Sequence, residues 1–170
     1  MLGELDRKLD AGLQAGRSWQ TRLDESLRRW PRLAEVAAGG AGTVRGQVGF
    51  ELRGDGSALL DADLDLEIEL VCQRCLQVMS LTVPARIRMA LGEETGAPAD
   101  YEAYGQVGGA TVRQLLEDEL LLEVPGFPAH PRRVDCGPMA ELIEDLAPED
   151  DGDEGKTNPF AALASLKSKK

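Results

Sequence analysis

Residues 61–70 alternate without a break between carboxylates and apolar side chains. Ala62, Leu64, Leu66, Ile68 and Leu70 share one face; Asp61, Asp63, Asp65, Glu67 and Glu69 share the other. Only a period of two separates these sets, so the segment is a strand with one buried and one wet face. The next run keeps the same period: Gln77, Met79, Leu81, Val83, Ala85 and Ile87 lie together, with Arg86 and Arg88 opposite. A two-residue turn at Gln73-Arg74 sets Ile68 across from Met79, Leu66 from Leu81, Leu64 from Val83 and Asp61 from Arg86. A one-residue slip would face apolar side chains with acids. The acidic row reads as a solvated outer face partly neutralised by Arg86 and Arg88. Side chains in one straight row cannot wrap around an ion.

Around this hairpin the chain changes period. Leu5, Leu9 and Leu13, then Leu23, Leu27 and Trp30, fall at helical spacing, with Thr21 as a cap and Pro31 restarting a turn. Seven basic residues lie between Arg7 and Arg32, a solvated helix face on one reading and a phosphate-facing patch on the other. The glycines after Ala38 end this region. Val44, Val48, Phe50 and Leu52 begin the strands, and Gly54-Asp55-Gly56 is a turn. Residues 92–110 form a polar, glycine-rich loop. Thr111 and Gln114 have capping-box spacing, and Val112, Leu115, Leu116 and Leu120 form a helical stripe. Residues 121–124 read as extended, and Pro125, Pro128 and Pro131 exclude a long helix beyond.

The expected fold is α+β: N-terminal helices, an antiparallel sheet curling toward a small open barrel, one packed helix and an acidic, flexible C-terminal region. Residues 1–140 form the domain, with 1–38 helical, 43–91 in strands and 111–121 a helix. Residues 141–156 form an acidic linker, and 157–170 a short tail helix. In that tail Asn158 suits an N-cap and Pro159 the first helical position, with Phe160, Leu163 and Lys167 along one side. About three turns are marginal alone in water, so the tail is expected to fold on docking to a partner.

Charge and composition narrow the function. The net charge is −11, yet residues 1–90 hold 12 basic and 13 acidic side chains, and residues 91–170 hold 7 and 17. Such polarity lets one face approach RNA while the acidic segment meets solvent or a basic protein. Aromatics are 4% of residues, too few for base-stacking platforms. No apolar run is long enough to span a bilayer, and the polar N-terminus is not a secretory signal. A soluble cytoplasmic protein is expected, with no membrane or DNA partner. No GxSxG, P-loop or HExxH pattern is present, and a single histidine leaves few acid–base options. No enzymatic activity is expected.

The three cysteines and the one histidine fall in two clusters. One is Cys72-Gln73-Arg74-Cys75 at the hairpin tip; the other runs from His130 to Cys136 through Arg132 and Arg133. A Cys-x-x-Cys at a tight turn aims two sulfurs at one point, and one histidine and one cysteine complete a tetrahedral zinc site. Small buried thiols and redox thiols remain the competing readings. If the clusters converge, Arg74, Arg132 and Arg133 make a local basic patch.

Three blocks resemble the YceD family. They are Leu70-Val71-Cys72-Gln73-Arg74-Cys75-Leu76, the run from Leu116 to Pro125 (LEDELLLEVP), and the run from Asn158 to Lys167 (NPFAALASLK). The resemblance implies a bacterial factor needed for accumulation of large-subunit (23S) ribosomal RNA, with an equivalent role in plant organelles and no known catalysis. It implies 23S rRNA or a precursor large ribosomal subunit as partner; the candidate contacts, read from their placement, are Arg74 at the hairpin tip, Arg132 and Arg133 near it, and Asn158, Pro159, Phe160, Leu163 and Lys167 in the tail. The alternative is an acidic chaperone for a basic ribosomal protein. Some relatives carry extra cysteines after the leucine-rich block; this chain has His130 and Cys136 there.

Overall fold

The computed structural model describes residues 3–9, 17–92, 97–105, 107–140 and 142. Five strands form one sheet, in spatial order β1 (Trp19–Ser26), β2 (Gly42–Leu52), β3 (Ala58–Val71), β4 (Val78–Leu91) and β5 (Glu102–Gly105). The first four pair antiparallel, and β5 runs parallel to the end of β4. Helices α1 (Pro31–Val36) and α2 (Val112–Glu123) and several 3-10 turns accompany the sheet. The architecture is mixed α+β, as expected. The sheet does not close into a barrel: β1 and β5 are separate edges, and α2 packs against β4 and α1 to help cover the core.

The alternating strand behaves as its pattern dictates. Ala62, Leu64, Leu66, Ile68 and Leu70 are all buried. On the outer face Arg45 pairs with Glu67 at 2.9 Å and Arg86 with Asp63 at 3.1 Å. Tyr101 donates to Asp61 at 2.5 Å, and that bond pushes the phenol up to about 12. The β3–β4 register differs from the expected one by two residues. Ile68 faces Leu81, Leu66 faces Val83, Leu64 faces Ala85 and Asp61 faces Arg88. The last ladder pair is Val71–Val78, so residues 72–77 form the connection where a two-residue turn was expected. A two-residue slide keeps every side chain on its face, which is why the alternation alone could not detect it.

The N-terminal region corrects the expectation that residues 1–38 are helical. Residues 19–26 are strand β1, paired with β2 from Trp19–Phe50 to Ser26–Thr43, so Thr21 caps nothing. Trp19 stacks on Phe50, ring centroids 5.7 Å apart. Leu23, Leu27 and Trp30 do all enter the core, but from a strand, a 3-10 turn and the residue before α1. Among the described residues of this region, α-helix is confined to the six residues of α1, with 3-10 turns at Glu4–Asp6, Leu27–Arg29 and Ala38–Gly40.

Helix α2 opens on the expected capping box: Thr111 Oγ1 accepts from the Gln114 amide at 3.2 Å, and Gln114 Oε1 accepts from the Thr111 amide at 2.9 Å. Val112, Leu115, Leu116 and Leu120 are buried. The helix runs on to Glu123, past the expected end at 121, and stops because Val124 precedes Pro125 and adopts extended geometry (φ −67°, ψ 124°). No helix among the described residues is long and apolar enough to cross a membrane.

Candidate metal centre

Beyond Val71–Val78 the hairpin folds back on itself. The Cys72 amide donates to Gln77 O at 2.9 Å, extending the ladder by one bond. The Leu76 amide then closes on Cys72 O at 2.9 Å, with Leu76 at φ 60°. Inside this loop the Arg74 amide donates to Cys72 Sγ at 3.4 Å. Such a turn presents backbone N–H groups to one sulfur and brings the second, Cys75, alongside.

The proline-punctuated segment after α2 supplies the other half. The Gln73 amide donates to Pro128 O at 2.8 Å, and the Arg74 guanidinium donates to His130 O. These bonds bring the His130 ring between two thiols: Nδ1 lies 3.5 Å from Cys75 Sγ and 3.6 Å from Cys136 Sγ. A 3-10 turn at Arg133–Cys136, ended by Gly137 at φ 59°, carries Cys136 inward. Donor atoms of Cys72, Cys75, His130 and Cys136 all lie within 4.8 Å of one another. All three cysteines are buried and unbridged. The two clusters of the sequence thus converge, as the zinc reading among the three required.

The electrostatics split the thiols. Burial opposes ionisation of Cys72, but the backbone amides of Cys75, His130 and Arg74 and a side-chain bond with Cys75 outweigh it, lowering the thiol to about 5. Cys136 is driven the other way, to about 11, by burial and by its bonds to Cys75 and Cys72 and their charge. A cluster that stabilises one thiolate and resists another is short of positive charge. A divalent cation would supply it and deprotonate a coordinating thiol. Three sulfurs and one imidazole nitrogen are a zinc donor set, and tetrahedral bonds of about 2.3 Å to sulfur and 2.0–2.1 Å to nitrogen need donors roughly 3.5–3.8 Å apart. The contacts at His130 already meet that spacing, so the residues fit the ion.

Arg74 is half-buried and spends its guanidinium on His130 O. Arg132 is exposed and paired with Asp135 at 2.8 Å. Arg133 is exposed beside it. All three therefore belong to the segments that build the cluster. Asn158, Pro159, Phe160, Leu163 and Lys167 lie outside the described residues, as does almost all of the acidic run 141–156.

The family model described as "Large ribosomal RNA subunit accumulation protein YceD" matches residues 60–167, well over half of the chain. The chain belongs to the YceD family. A Haemophilus influenzae protein named "Large ribosomal RNA subunit accumulation protein YceD" is 25% identical over 160 residues, covering 88% of this chain and 91% of that protein. No solved structure matches. The YceD match begins inside β3 and takes in β4, α2 and all four cluster residues, leaving β1, α1 and β2 before it.

One pair of residues escaped the sequence reading. Arg113 and Glu117, on α2, are 7% and 2% exposed. Glu117 Oε1 accepts from the amides of Arg32 (2.8 Å) and Leu33 (3.2 Å), capping α1 from another helix. Arg113 donates to Asp6 and Glu25 and lies 4.8 Å from the Trp30 ring centroid. Their i, i+4 spacing was the available signal, but it reads equally as a surface ion pair.

Proposed function

We propose that this protein is a non-catalytic, cytoplasmic ribosome biogenesis factor that supports 23S rRNA accumulation by binding rRNA or a precursor large ribosomal subunit. The observation that carries the reading is the YceD family match over residues 60–167. A structural zinc ion held by Cys72, Cys75, His130 and Cys136 supplies coordinate bonds that lock the hairpin tip to the segment after α2. Arg132 and Arg133, exposed on that segment, face phosphate, while Arg74 positions His130. The tail residues Asn158, Pro159, Phe160, Leu163 and Lys167 add a second contact. The second reading, an acidic chaperone for a basic ribosomal protein, draws on the net charge of −11. The outer face of β3 supports it weakly, because Arg45, Arg86 and Arg88 already pair with Glu67, Asp63 and Asp61.

Gradient co-sedimentation of the tagged chain with ribosomal particles tests this. The full chain is expected to comigrate with immature large subunits. Arg132→Glu with Arg133→Glu is expected to lower the bound fraction several-fold at fixed salt without changing the fold, since exposed ion pairs contribute about 1 kcal/mol or less. Absence of the full chain from all particles at low salt overturns particle binding, and recovery with a free basic ribosomal protein selects the chaperone reading.

A further inference from the structure

The end of the molecule that carries the cysteine cluster also carries an apolar groove of about 350 Å³. Val36 at the end of α1, Leu70 and Val71 at the end of β3, Leu121 in the last turn of α2, and Val124 and Pro128 after that helix line it. No lysine or arginine is among its lining residues. Two of its lining residues are large apolar side chains left in solvent, Val36 at 47% and Val71 at 39% exposed. Water contact with such apolar surface is unfavourable, and exposed apolar patches mark interaction sites. Three exposed carboxylates adjoin it in sequence: Glu35 beside Val36, Glu69 two residues before Val71 on the same strand face, and Glu123 beside Leu122.

We infer that this groove is a docking site for a short apolar segment of a cationic partner protein, seated with its apolar side chains between α1, the end of β3 and the loop after α2. The lining gives the apolar contact; the exposed carboxylates of Glu35, Glu69 and Glu123 select a segment flanked by lysine or arginine over one flanked by acids. The loop wall is fixed by the Gln73–Pro128 hydrogen bond, so the groove is preformed and a ligand does not bear the cost of ordering it. This surface stands on its own lining and is separate from the arginines assigned to phosphate above.

The probe is a labelled 14-residue peptide with leucines on one helical face and lysines elsewhere, titrated into the full-length protein. Two comparison peptides scramble the leucines or replace every lysine with glutamate. The amphipathic cationic peptide is expected to bind saturably, and each comparison peptide about ten-fold or more weaker. Val71→Asp and, separately, Val36→Ser are each expected to weaken the cationic peptide about ten-fold, one buried contact in the hot-spot range. Val36 is 47% exposed at the end of α1, so its replacement leaves the fold intact even if Val71→Asp does not. Equal binding of the scrambled peptide, or full binding by Val36→Ser, overturns the groove. A Phe160→Asp, Leu163→Asp full-length variant that binds the probe ten-fold more tightly than wild type makes the chain's own tail the occupant and overturns the assignment to a partner.

Discussion

Arg113 shows how a buried charge is made tolerable. Its guanidinium has left water, and the replacement is two carboxylates, Asp6 and Glu25, plus the face of Trp30. The arrangement joins the N-terminal turn, β1, the residue before α1, and α2 through one side chain. It acts reciprocally on Asp6. The hydrogen bond from Arg113, reinforced by the charges of Arg113 and Arg29, outweighs partial burial and holds this carboxyl below its usual range. A carboxyl whose native pKa is depressed binds fewer protons in the native state than in the unfolded state between the two values. Its contribution is therefore complete above the unfolded pKa of about 4 and is lost as pH falls through the lower native value. Asp6→Asn is expected to cost about 1.5–3 kcal/mol at pH 7, the range for a hydrogen bond to a charged partner. Urea unfolding across pH should show the gap between wild type and variant closing from about pH 4 downward. A gap that stays constant to pH 2 would mean that Asp6 acts through packing rather than charge.

At the scale of elements, β2 crosses β3 more closely than most side chains allow. Gly46 faces Leu64 across the ladder at φ 147°, and a Cβ there would meet Asp63 O at 2.1 Å and Leu64 Cα at 2.9 Å. Both obstacles are backbone, so neither can swing aside. A Cβ at Gly49, three residues on, would meet nothing closer than ordinary contact, the flexible Gln20 side chain at 3.6 Å and Asp61 O at 4.0 Å. Gly46→Ala is expected to cost about 3 kcal/mol or more, and Gly49→Ala less than about 1 kcal/mol, measured by thermal unfolding of the pair. Which elements could be read in the sequence follows from how local their determinants are. The α2 capping box and the β3 alternation depend on residues a few positions apart, and both stand. The β1 strand does not, because Leu23, Leu27 and Trp30 fall at helical spacing while the inward face of the strand (Trp19, Thr21, Leu23 and Glu25) holds too few apolar residues to reveal a period of two, and only pairing with β2 decides between them. The cysteine cluster was visible as two motifs. Their convergence depends on Gln73 and Arg74 reaching Pro128 and His130, contacts between distant segments that no spacing rule encodes.

At the scale of the molecule the described residues form two cores of very different size. The large one fills the space between the sheet, α1 and α2 and includes Leu27, Trp30, Leu60, Leu66 and Leu116. The small one consists of Cys72, Cys75, Cys136 and Met79, with Leu81, Ala129 and Ala140 packed on it. Three thiols and a methionine contribute far less apolar burial than the main core, so the satellite depends on its cross-links: two hydrogen bonds between loops and, when bound, the metal. Since β4 enters both cores and Cys72 follows directly on β3, the hairpin tethers the satellite without relying on it. Removing zinc should therefore open the satellite and leave the main core folded. Hydrogen exchange after chelation is expected to rise at residues 72–77 and 125–136 while β1, β2 and the first turns of α2 keep their protection. The groove shares the 125–128 wall, so affinity for the cationic amphipathic peptide should fall in the same samples. Loss of protection across β1 and β2 would show instead that the two cores fold as one cooperative unit, with the metal stabilising the whole sheet.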